Sequence, residues 1–105
     1  MYNAPKLNVS NNISGKVNSK VQISVSITFD SLDPNTYTYR WWSQRDYETN
    51  SGHRTLITDD NTYAGSKTAT LTIYTEFYAY TKYFAFQIIG QGITVERNNI
   101  KVTIS

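Results

Sequence analysis

One histidine, His53, stands in the run Ser51-Gly52-His53-Arg54. Catalysis by an imidazole requires a nucleophile and an orienting carboxylate within hydrogen-bond reach. A lone histidine in a glycine-containing turn signals neither, so His53 reads as a surface loop residue. The chain has no cysteine, which removes thiol nucleophiles and cysteine metal sites from consideration. Asp30 and Asp33 flank one loop, and Asp59-Asp60 lie in another. Calcium takes about six to eight oxygen ligands at characteristic spacing. These pairs lack that spacing and fit turn capping instead. The sequence is therefore read as non-enzymatic, with no catalytic residue, metal or cofactor. Gln44-Arg45-Asp46 lacks the glycine of an integrin-type Arg-Gly-Asp motif. Asn8-Val9-Ser10 and Asn12-Ile13-Ser14 are formal glycosylation sequons of the kind that chance supplies in an Asn- and Ser-rich chain.

The side chains best suited to binding are aromatic: nine Tyr, four Phe and two Trp make up 14% of the 105 residues. Charged residues are only 17%, a balance that favours strands over helices or disorder. A net charge of +2, with no Lys/Arg cluster, argues against a nucleic-acid partner. No apolar run is long enough for a membrane span or a signal-peptide core, so no membrane insertion is expected and any targeting segment would lie outside this sequence.

The elements that must position these aromatics follow from periodicity. Residues 1–5 read as a linker and residues 6–105 as one domain. Residues 7–13 suit an edge strand, and Gly15 turns the chain. Val21, Ile23, Val25, Ile27 and Phe29 then alternate with polar residues, the mark of a strand with one wet and one buried face. The cluster around Pro34 is a turn. Residues 37–44 form the next strand, with Tyr39 and Trp41 on one face and Arg40 and Trp42 on the other. A short strand is expected at 54–58, loops at 59–61 and 64–66, and a strand at 68–75 carrying Leu71 and Ile73. Residues 76–81 cross between sheets, with Phe77 and Tyr80 plugging one end of the core. Strands at 82–89 and 93–104 close the domain, the last interrupted by a bulge at Asn98-Asn99. Roughly seven to eight short strands separated by turn signals describe an all-β, two-sheet antiparallel sandwich.

The order Val21-x-Ile23-x-Val25, Tyr39-x-Trp41, Leu71-x-Ile73, Tyr83-x-Ala85 and Ile100-x-Val102-x-Ile104 resembles an I-set-like immunoglobulin domain. More narrowly, it resembles the cysteine-free immunoglobulin-like modules of bacterial surface proteins and phage virion proteins. The resemblance covers residues 5–105 and implies a core built from Val25, Tyr39, Trp41, Leu71, Ile73, Tyr83 and Ala85. It also places the family's two cysteines near Val25 and Ala85, which are apolar here, and makes Tyr83 the corner tyrosine. A disulfide closing a loop of about 60 residues contributes roughly 4 kcal/mol. Burying one tryptophan contributes a comparable ~4–6 kcal/mol, so Trp41 can stand in for the bridge.

With Trp41 and Ala85 facing inward, Trp42, Phe84 and Phe86 fall on the outer face, beside Arg40 and with Tyr47 reaching in from the next loop. Arg40, Trp42, Tyr47, Phe84 and Phe86 are therefore the candidate binding residues. The alternatives are a wrong strand phase, or a 45–66 connection folded over this face. The resemblance implies a non-catalytic structural or adhesion module of a larger protein at the cell or virion surface. Its partners would be another protein or neighbouring immunoglobulin-like domains. The second reading is a carbohydrate-binding β-sandwich module that uses exposed rings to engage cell-surface polysaccharide.

Overall fold

The computed structural model describes residues 5–28, 37–44, 54–90 and 92–105. All regular structure among them is β: β1 (Lys6–Asn8), β2 (Asn12–Gly15), β3 (Lys20–Ser24), β4 (Ser26–Thr28), β5 (Thr38–Gln44), β6 (Arg54–Leu56), β7 (Tyr63–Ala64), β8 (Thr70–Tyr74), β9 (Tyr80–Gly90) and β10 (Ile93–Ile104). A five-stranded sheet runs in the order β2-β10-β9-β5-β6, and a three-stranded sheet in the order β3-β8-β7. A two-stranded pair, β1-β4, lies where β4 continues the chain of β3. The arrangement is compatible with a β-sandwich.

Alternation builds the core. Val21 and Ile23 of β3 are buried while Lys20, Gln22 and Ser24 are exposed. Leu71 and Ile73 answer them from β8 in direct register. From the larger sheet come Trp41, Phe84, Phe86, Ile88, Ile100, Val102 and Ile104, which join the same apolar cluster. Trp41 is completely buried; its ring lies 4.7 Å from that of Phe86, and its indole N–H donates to the Thr68 carbonyl at 2.7 Å. That bond matters because a buried N–H without a partner costs about 1–3 kcal/mol.

The first edge differs from its sequence reading. Residues 6–15 form two strands: β1 pairs antiparallel with β4, and β2 pairs parallel with the end of β10. Breaking at residues 9–11 lets one short segment pair with β4 through β1 and cover the β10 edge of the five-stranded sheet through β2, which protects unpaired backbone groups from other chains. The strand expected at 21–29 pauses at Val25, whose N–H bonds Ala69 O at 2.9 Å. Ala64, expected in a loop, belongs instead to β7, and Phe29 lies outside the described residues.

The connection into β8 is held by two carboxylates. Asp60 Oδ1 accepts the N–H groups of Thr62 and Tyr63, and Asp59 Oδ1 accepts that of Ser66 at 2.9 Å. Gly65 sits at φ 78°, where a Cβ would fall 2.4 Å from Thr70 O. The backbone hydrogen bond from Ser66 is the largest cause holding the Asp59 carboxyl below its ordinary value of 3.8. Because the folded state favours the charged form, this contribution to stability is present above the unfolded carboxyl's range and lost as pH falls through the depressed folded value. NMR titration should place the Asp59 midpoint below that of a model aspartate, and Ser66→Pro should return it toward the ordinary value.

Candidate functional site

The outer face of the five-stranded sheet is not the apolar patch expected of it. Phe84 and Phe86 are completely buried, with Ile88, against the opposite sheet. The register explains why. Trp41 pairs with Phe86 and Trp42 with Ala85, so inward Trp41 carries the even-numbered residues of β9 inward with it. Phase counted from a family cysteine position near Ala85 is one residue off, and a one-residue slip exchanges the two faces. Ala85 is fully buried, but it lies on the Trp42 side, away from Val25. Tyr83 is likewise half-buried on that outer face, opposite Gln44 and Lys101, and is not part of the core. Val25, Leu71 and Ile73 are buried, and Tyr39 is half-buried against the core. Tyr47 and His53 lie outside the described residues.

What occupies the outer face is a polar network with one ring in it. The Arg54 guanidinium lies 5.0 Å from the Trp42 ring centroid. The Trp42 N–H donates to Gln87 Oε1 at 3.1 Å, and Gln87 Nε2 donates to Glu96 Oε1 at 3.0 Å. Arg54 Nη2 closes the network on the same Glu96 oxygen at 2.7 Å. Trp42 is thereby covered by a cation and tied down at its polar edge. Arg40 stays exposed beside it. A face whose polar groups satisfy one another offers little to an apolar partner.

The exposed aromatics are at one end of the molecule instead. Phe77, expected to plug the core, is 78% exposed, and Tyr78 is 52% exposed. Tyr80 is half-buried and packs against the core, supporting Tyr78 at a ring separation of 5.7 Å. Phe77 meets Tyr78 edge to face at 5.2 Å. Tyr63, Tyr78, Tyr80, Glu76 and Lys82 help line a recess of about 310 Å³, with the Lys82 ammonium 3.3 Å from the Tyr63 hydroxyl. Burial pushes the Tyr80 hydroxyl up, with smaller contributions from Tyr63, Glu76 and Tyr78. The chain pins this end by Asn18 N donating to Glu76 O at 2.8 Å and Val17 N to Ser105 O at 3.3 Å. The aromatics therefore flank the end of the last strand. The clue in the sequence is that Phe77-Tyr78 follows Thr75-Glu76 without alternation, which assigns the rings to no face.

A second recess, of about 580 Å³, surrounds the bulge in β10 and is lined by Asn11, Asn12, Tyr83, Glu96, Arg97, Asn98, Asn99 and Lys101. The register of β10 against β9 shifts between Arg97 and Ile100, as the Asn98-Asn99 pair suggests. Asn99 takes φ 59°, a left-handed conformation that asparagine tolerates better than most residues. Gln44, only 5% exposed, clamps it: Gln44 Nε2 donates to Asn99 Oδ1, and Asn99 N donates to Gln44 Oε1, both at 2.8 Å.

Among the described residues, no group of three or more His, Cys, Asp or Glu side chains is placed to hold a metal ion. No family model matches the chain, and no curated protein matches it.

Proposed function

We propose that the chain is a non-catalytic, immunoglobulin-like module of a larger surface protein, and that its aromatic end packs against a neighbouring module or protein. In the immunoglobulin arrangement one sheet holds strands A, B, E and D, and the other holds G, F, C and, in some types, C′. The orders β3-β8-β7, with β1-β4 beside them, and β10-β9-β5-β6 support that reading. The observation that carries the function is the exposure of Phe77 and Tyr78 where the last strand ends. Phe77 and Tyr78 are adjacent and are the two most exposed large hydrophobic residues among the described ones, ahead of Leu56 and Tyr74, and adjacent exposed rings mark a contact site. A module seated on this end would cover both.

Hydroxyl-radical footprinting tests the reading. Phe77 and Tyr78 should be oxidised readily in the module alone and protected when it is joined to its natural neighbours. Equal oxidation in both would remove the contact. The carbohydrate-binding reading needs a stacking platform, and the rings here are inclined at 85° and 56° to one another, so they share no plane. Its support comes from the polar recess at the bulge.

A further inference from the structure

We infer that the recess around the β10 bulge is a binding site for a carboxylate-bearing saccharide, such as a uronic acid unit of a polysaccharide. The inference stands apart from the contact at the aromatic end and survives its failure. Three properties of the lining select this chemistry.

The first is its hydrogen-bonding character. Asn11, Asn12, Asn98 and Asn99 line one concavity; the amide oxygens of Asn11 and Asn99 already accept from Arg97 and Gln44, which leaves their NH2 donors and the amides of Asn12 and Asn98. An amide offers donors and an acceptor together, which matches a sugar hydroxyl, itself donor and acceptor. A simple inorganic anion would use donors alone.

The second is charge. Arg97 and Lys101 are cationic, and the one carboxylate, Glu96, is already engaged by Arg54 and Gln87. The Lys101 ammonium makes no hydrogen bond or ion pair among the described residues. The guanidinium of Arg97 donates to Asn11 Oδ1 and keeps further N–H groups for a ligand. With Glu96 paired to Arg54, Arg97 and Lys101 leave the recess net positive, which favours a ligand that carries negative charge.

The third is preorganisation. Gln44 fixes Asn99, Arg97 fixes Asn11, and cross-strand pairing sets Asn12, Lys101 and Tyr83 in one row over β2, β10 and β9. Side chains already held by neighbours lose less entropy on binding. The volume of about 580 Å³ lies within the range of small-molecule sites, roughly 300–1,000 Å³.

The test is titration of the intact chain with a glucuronate-containing tetrasaccharide, a neutral glucose tetrasaccharide and sodium sulfate, followed by amide NMR shifts. The expected result is saturable binding of the glucuronate sugar, with shifts centred on Asn11, Asn12, Asn98, Asn99 and Lys101, weakening as salt rises. The neutral sugar should bind at least about tenfold more weakly, as expected when a charged hydrogen bond is lost. Lys101→Gln and the isosteric Asn98→Asp should each reduce affinity about tenfold, with the melting temperature held. Four outcomes would overturn the inference: no binding of the acidic sugar, equal binding of the neutral one, sulfate binding as tightly as the sugar, or full affinity in both variants.

Discussion

Trp41→Ala is expected to lower the unfolding free energy by about 3–5 kcal/mol, the range for deleting a large buried aromatic. The indole is fully buried in contact with Phe86, so its removal leaves a cavity that rigid strands on both sides fill poorly. The change also orphans the Thr68 carbonyl that now accepts the indole N–H. For a domain of this length each kcal/mol shifts the melting point by about 4–8 °C, so a fall of well over 10 °C is expected. Calorimetry checks it. A melting point within a degree or two of the parent would mean that the core is organised around something else.

Phe86→Ala carries the second large effect, also about 3–5 kcal/mol, and it decides the phase of β9. Were Phe86 on the outer face, its loss would change association and leave stability nearly untouched. Buried between Tyr39 and Trp41, at ring separations of 5.9 and 4.7 Å, it should act as a core residue. Trp42→Ala, one position along β5, should cost much less, about 1 kcal/mol, since its ring lies half-buried under Arg54. In the double variant Trp41→Ala/Phe86→Ala the two effects should fall short of additivity by about 0.5–3 kcal/mol, because both side chains border the same cavity. Urea titrations of the four proteins measure the cycle. Full additivity, or a Trp42 effect equal to that of Phe86, would contradict the register.

The all-β character of the chain and most strand positions were legible in the sequence. Strict alternation from Val21 to Val25, and from Ile100 to Ile104, leaves only one face that can be buried. Asn98-Asn99 announced a bulge because asparagine tolerates left-handed backbone. It also marked Trp41 as a core residue, since a tryptophan among β-formers in a central strand has few other places to go. It did not determine the faces of β9. In Tyr83-Phe84-Ala85-Phe86-Gln87-Ile88 both phases present apolar residues, and only hydrogen-bonded register with β5 selects between them. Nor did it place the sites. Phe77 and Tyr78 lie in a connection with no period, so nothing local distinguishes a core plug from an exposed cap. The polar recess joins Asn11 and Asn12 to residues more than seventy positions away, through the parallel pairing of β2 with β10. Parallel pairing between distant segments leaves no trace in local periodicity, because its register is set by the burial of both strands at once. That is why the amides, the tyrosine and the cations of this surface become one site only in the folded chain.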